Sequence, residues 1–155
     1  MENAIKPLLD ILHELYIGTD KEHSWVIDRK PGHGLSRTIK ELSAEEASKP
    51  LVDGGTTVAS HTEHLRWSLV YALQFFAGKK PEGDWKDSWT VHQVNETEWK
   101  KLQQDLLDAY EKVKAAINDT NDWSAPNFLQ GTLALAPHAA YHLGAVKQLV
   151  IASKR

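Results

Sequence analysis

The stretch Leu135-Ala-Pro-His-Ala-Ala-Tyr-His-Leu-Gly-Ala-Val-Lys-Gln-Leu149 carries the pattern that decides the fold. Its leucines, its valine and its two histidines recur at steps of three and four residues, as on one face of an α-helix. The surrounding apolar segment predicts a helix from Phe128 to about Ala152. Pro137 removes one amide donor and crowds the preceding turn, so this helix is predicted either to kink or to begin there.

Two further helices and a long connection are predicted at the other end of the chain. A regular apolar stripe predicts a first helix that ends near residue 17. A second helix begins near Thr56 and is stopped at Gly78. Between them, residues 28–55 contain several prolines and glycines, among them Pro31 and Gly32, and are interrupted by one short helix over residues 35–42.

The remaining helix has the clearest predicted start. Asn95 can accept from the first-turn amides while Glu98 reaches back, as in a capping box, and the helix runs to about Ile117. Its core face is predicted to consist of large apolar residues: Trp99, Leu102, Leu106, Tyr110, Val113 and Ile117. Four principal helices without strand patterns predict an all-α protein, a four-helix bundle with a long connection between helices 1 and 2, in one domain over residues 1–155.

Composition excludes several classes of protein. The chain of 155 residues contains no cysteine, so a disulfide framework, a thiolate zinc site and a cysteine nucleophile are all excluded. Its net charge of −3 and its scattered basic residues disfavour nucleic-acid binding. We find no signal peptide pattern and no apolar run long enough to span a membrane, and we therefore expect a cytoplasmic protein.

The histidine spacing predicts a metal site. His138 and His142 lie one turn apart on the inner face of the last helix, where they can grip one divalent cation with a third ligand from a facing helix. Helix 2 offers His61 and His64 for that role. The alternative is that each imidazole is a hydrogen-bonded core residue, but four buried imidazoles without partners would cost several kcal/mol. The spacing alone does not choose between His61 and His64.

Several catalytic motifs are absent. A zincin peptidase needs a glutamate directly after the first histidine, and that position is Ala139. A di-iron carboxylate bundle needs repeated Glu-x-x-His, and no histidine of this chain has a glutamate three residues before it. The chain also lacks a glycine-rich phosphate loop and a Gly-x-Ser-x-Gly elbow.

Two segments resemble the DinB-like superfamily of metalloenzymes, which includes the DinB and YfiT proteins. Asp53-Gly-Gly-Thr-Thr-Val-Ala-Ser-His-Thr-Glu-His-Leu65 is similar, without gaps, to the family's approach to its first ligand. Pro137-His-Ala-Ala-Tyr-His-Leu-Gly-Ala-Val-Lys-Gln-Leu149 is similar to its carboxy-terminal motif. The resemblance implies a four-helix bundle with one metal-binding histidine in helix 2 and two in helix 4.

Carried over residue by residue, the resemblance implies His64, His138 and His142 as the metal ligands. Periodicity places His61 nearer the centre of the apolar face of helix 2, but the ungapped match favours His64 and leaves His61 beside the site as a supporting or pocket-lining group. Three residues on the same turns are further candidates for lining a pocket: Ser68, Tyr71 and Tyr141. The other histidines show no metal spacing and are predicted at the surface: His13, His23, His33 and His92.

The resemblance also implies an activity. Members with an assigned activity often transfer or isomerise groups on a low-molecular-weight thiol of the bacillithiol or mycothiol type, and a metal-dependent hydrolase is a related possibility. We expect zinc or nickel as the divalent metal, a small-molecule substrate and a homodimer, and no catalytic acid or base is identified. The alternative is a non-catalytic metal-binding or stress-response module.

Overall fold

All the regular secondary structure in the residues that the structure describes is helical. The computed structural model describes residues 2–20, 23–27 and 34–154. In chain order the elements are α1 (Glu2–Tyr16), α2 (Leu35–Lys40), α3 (Ala44–Ala47), α4 (Val58–Phe76), a 3-10 helix (Trp85–Trp89), α5 (Glu96–Asp119) and α6 (Phe128–Ser153). These ranges contain no strand, so the all-α prediction is confirmed. Pro31, Gly32 and His33 lie outside the described residues.

Side-chain caps set the starts of α3, α4 and α5. The Asn95 side chain accepts from the Glu98 amide and Glu98 accepts from the Asn95 amide, so the predicted capping box is confirmed. α4 starts with a reciprocal pair between Thr57 and Ser60. A similar pair between Ser43 and Glu46 starts α3, which the sequence reading did not predict.

The four long helices enclose one apolar core. α4 packs against α5 and α6, and α1 packs against the same two helices. The predicted core residues of α5 are all buried. Trp99 is among the largest of them, and its indole donates to the Leu42 carbonyl at 2.8 Å, which ties α5 to the segment before α3. Burial of a side chain of this size stabilises a fold by about 2–3 kcal/mol.

α6 continues through Pro137. The helix is unbroken from Phe128 to Ser153, so the predicted alternative in which it begins at Pro137 is wrong. Pro137 and Leu133, whose carbonyl loses its amide partner, both lie on the exposed side of the helix, where water can satisfy that carbonyl. His138 therefore lies inside a continuous helix and not at its start. None of the helices in the described ranges combines the length and the apolarity that crossing a membrane requires.

Candidate metal centre

Three histidine side chains from two helices converge at one point. His64 lies in the second turn of α4, and His138 and His142 lie one turn apart on α6. The Nε2 atom of His138 is 3.0 Å from Nε2 of His64 and 3.1 Å from Nε2 of His142. A ligand-capable atom of each of the three residues lies within 4.8 Å of those of the other two. The turn of α6 and the α4–α6 packing thus bring the three predicted residues together.

The spacing of these nitrogens fits a divalent cation. Imidazole nitrogens at about 2.1 Å from a tetrahedral zinc ion lie about 3.4 Å from one another, close to the two separations seen here. His138 Nε2 can carry at most one hydrogen, and that hydrogen can be donated to only one of the other two Nε2 atoms. Hydrogen bonding therefore cannot keep all three Nε2 lone pairs apart. Three converging nitrogen donors are therefore able to hold a divalent metal ion such as zinc or nickel.

Ser88 sets the orientation of His64. The Ser88 hydroxyl donates to the Trp85 carbonyl at 2.5 Å, which uses its only hydrogen. The His64 Nδ1 atom, 2.7 Å from Ser88 Oγ, must then be the donor in that hydrogen bond. His64 is consequently protonated on Nδ1, and its Nε2 lone pair is directed at the cluster. Metal-binding histidines commonly have such a partner on the second ring nitrogen.

His61 sets the orientation of His142 in the same way. The Nδ1 atoms of the two rings are 2.9 Å apart, and His61 Nε2 is 3.0 Å from the Thr56 hydroxyl. When His142 directs its Nε2 lone pair at the cluster, its Nδ1–H donates to His61, and His61 in turn donates to Thr56. This set of tautomers satisfies every bond in the chain. His61 lies behind His142 and outside the converging three.

The four imidazoles are neutral in this environment. Burial, and after it the charges of His138 and His61, lower the pKa of His64 to about 4. Burial and the charges of the other three histidines lower the pKa of His142 to about 3. Burial also lowers the pKa values of His61 and His138. Neutral imidazoles are the form that binds metal ions.

The 3-10 helix covers one side of the cluster. The Trp89 ring stacks on His64 with centroids 4.2 Å apart and planes at 20°. Trp85 stands 5.6 Å from the same imidazole. An Asp84 capping box starts this short helix. The sequence pattern did not predict that Trp85, Ser88 and Trp89 contact His64, because these contacts depend on how the segment folds back onto α4.

A cleft of about 690 Å³ opens beside the cluster. It runs between α4 and α6, with His138 at one end and aromatic rings on both sides. Ser68 and Tyr71 line it as the sequence reading suggested, whereas Tyr141 is 75% exposed and does not. His13, His23 and His92 are exposed, in agreement with their predicted surface positions.

Comparison with known families decides the relationship. The family model of the DinB superfamily matches residues 32–146. The chain belongs to the DinB superfamily. The DinB match includes all four histidines of the site and extends over most of α6, so the resemblance inferred from the two motifs is confirmed. A search of curated proteins and a search of solved structures each found no match.

Proposed function

We propose that this DinB superfamily member is a metal-dependent enzyme in which His64, His138 and His142 hold one divalent ion, with zinc or nickel as the preferred metals. The observation that carries the proposal is the convergence of three Nε2 atoms beside an open cleft. Catalytic metal sites commonly use three protein ligands and leave one position for water or substrate. His138, which belongs to both the cluster and the cleft, connects the two.

The reaction we propose is thiol-dependent group transfer on a small molecule, with metal-dependent hydrolysis as the related alternative. When bound by three neutral imidazoles, the cation keeps its full charge and lowers the pKa of a bound thiol or water. The chain's own residues orient and shield this position. Ser88 and His61 hold His64 and His142 in place, and Trp89 shields the covered side of His64 from solvent. The homodimer and the cytoplasmic location stay predictions.

Metal analysis of purified variants tests the ligand assignment. We expect close to one zinc or nickel ion per wild-type chain and background levels in His64→Ala. His61→Ala should keep a weakened site, because His61 contacts His142 and does not join the three converging nitrogens. His92→Ala is the control, since the His92 side chain is exposed and does not belong to the candidate site. Metal retained in His64→Ala and lost in His61→Ala would overturn the assignment.

A chelator experiment separates the enzyme from a structural metal module. If the metal is catalytic, chelation should change the melting temperature little and abolish thiol binding, measured as thiolate absorption in cobalt-loaded protein. A large fall in melting temperature, with no thiol absorption before chelation, would favour the non-catalytic module.

A further inference from the structure

We propose that the cleft beside His138 binds the uncharged aromatic body of the substrate, while the substrate's metal-binding group lies at the histidine cluster. The second half of this statement rests on the proposed function. The first half rests on the cleft alone, because it concerns which molecules the cleft admits. The two halves can therefore fail separately.

Aromatic rings form opposite ends of the cleft. Tyr71 and Trp85, with centroids 5.7 Å apart, stand near the end where His138 lies. Phe76 and Phe128, 5.0 Å apart, line the far part. Trp85 is 49% exposed, so its ring still has surface to bury against a ligand. Flat apolar ligands bind such walls through offset or edge-to-face ring contacts.

The described lining of the cleft offers no ionic partner for a charged group, although the amides of Asn127 and Gln130 lie at its far part. No aspartate, glutamate, lysine or arginine is among its described lining residues. Ser68 and Thr132 donate their hydroxyl hydrogens to the carbonyls of Leu65 and Phe128, which leaves only acceptor lone pairs for a ligand. A carboxylate placed here would lose water and find no cation, whereas a neutral ring would lose little.

A second concavity shows that this lack of charge is local. The hollow between α1 and the segment after it measures about 530 Å³ and includes Asp10, Glu14, Asp20 and Arg37. The chain therefore places charges in one concavity and keeps them out of the other. The volume of the uncharged cleft lies within the range of about 300–1,000 Å³ typical of small-molecule sites.

Two glycines on α6 provide a blocking variant and its matched control. Gly131 lines the cleft, and a Cβ added there meets nothing within 4 Å. Gly144 has the same free space on the same helix but does not line the cleft. Replacing either helical glycine also removes an unfavourable helix propensity of about 1 kcal/mol, so both variants should fold. Gly131→Leu should fill the cleft, and Gly144→Leu should not.

The first measurement is calorimetric titration of naphthol, which is aromatic and uncharged at neutral pH, into the zinc-loaded and the chelated protein. We expect binding to wild type and Gly144→Leu in both metal states, and binding at least about ten-fold weaker to Gly131→Leu. Absence of binding to wild type, or equal binding to the two leucine variants, would overturn the inference.

The second measurement uses two thiols that share the same metal-binding end. Benzyl mercaptan and its para-carboxylated analogue are titrated into cobalt-loaded protein and followed by thiolate absorption. The neutral thiol should bind at least about ten-fold more tightly, because the carboxylate has no partner in the cleft. Equal affinities would overturn the inference while the proposed function stands. Cleft-dependent naphthol binding without any thiol or metal binding would support the inference and overturn the proposed function.

Discussion

Two of the buried polar clusters in the described part of the chain differ in how their hydrogen-bonding capacity is met. Glu14, near the end of α1, is 5% exposed and its carboxylate accepts from three consecutive amides at 2.6–3.1 Å and from the Ser24 hydroxyl. His64 and His142 are equally buried, at 5% and 4% exposure. Their second ring nitrogens have partners, but their Nε2 atoms face that of His138.

The difference separates a structural cluster from one built for a ligand. The amides of Trp25, Val26 and Ile27 complete the Glu14 cluster, so its bonds stabilise the fold without any outside group. The histidine cluster has its lone pairs directed at a common point, which a cation would occupy favourably. Removing a group should therefore destabilise the fold at Glu14 and remove ligand binding at the histidines.

The largest expected effect is on metal affinity in His138→Ala. Zinc binding by four protein ligands is worth about 10–16 kcal/mol, or about 2.5–4 kcal/mol per ligand, so the affinity should fall by about a hundred-fold or more. The free energy of unfolding of the chelated protein should change by less than about 1 kcal/mol. The His138 ring is only half-buried, and its removal also relieves the crowding of the Nε2 lone pairs. Competition with a colorimetric chelator and urea unfolding measure the two quantities. His13→Ala is the control, because His13 is exposed. Wild-type metal affinity in His138→Ala would show that the histidine cluster is not built for a ligand.

Glu14→Ala should lower the stability of the fold and leave metal binding unchanged, the opposite of His138→Ala. It leaves the amides of Trp25 and Val26 without their acceptor, whereas the Ile27 amide and the Ser24 hydroxyl each keep a second partner. We expect a loss of about 3 kcal/mol in the free energy of unfolding with the metal content unchanged. Glu111→Ala is the matched control: this exposed glutamate pairs with Lys114 at 3.0 Å, and its replacement should cost less than about 0.5 kcal/mol. Urea unfolding measures both. A cost for Glu14→Ala as small as that of the control would show that the cluster does not stabilise the fold.

Much of the fold was predictable because its signals are local. The α5 capping box and the glycine that ends α4 act over one turn, and a heptad-like apolar pattern marks each long helix. The three-residue spacing of Ser43 and Glu46 carried the same kind of signal for α3, and the sequence reading missed it. Helical periodicity likewise placed His138 and His142 on one face.

The surroundings of the histidines were not predictable in the same way. The role of Ser88 depends on the 3-10 helix folding onto α4, and the hydrogen bond between His61 and His142 joins residues 81 positions apart. Periodicity placed His61 nearer the centre of the apolar face than His64. The choice between them depends on the rotation of α4 against α6, which no single-helix pattern encodes.

A smaller effect is expected at the groups that orient the ligands. Ser88→Ala removes the acceptor that holds His64 Nδ1–H, and loss of such a partner typically lowers metal affinity by about ten- to a hundred-fold. Ser88→Thr keeps the hydroxyl and should restore part of the affinity. Ser68→Ala is the control, because Ser68 is a buried serine whose hydroxyl donates to the Leu65 carbonyl and not to a histidine. Equal affinities in Ser88→Ala and Ser68→Ala would show that the hydrogen bond does not position His64.

The smallest effect is the pH dependence of the Glu14 contribution. Burial alone would raise the pKa of Glu14, but the hydrogen bonds from Ser24 and from the amides of Val26, Ile27 and Trp25 outweigh it and hold the pKa below 4.5. Because the folded protein binds the proton less well than the unfolded chain, the contribution is complete above pH 4.5 and is lost as the pH falls through the lowered pKa. The stability difference between wild type and Glu14→Gln should therefore be constant from pH 7 to 5 and shrink below about pH 4. Urea unfolding of both proteins with chelator present measures this difference free of the metal. A difference that grows as the pH falls would contradict the arrangement at Glu14.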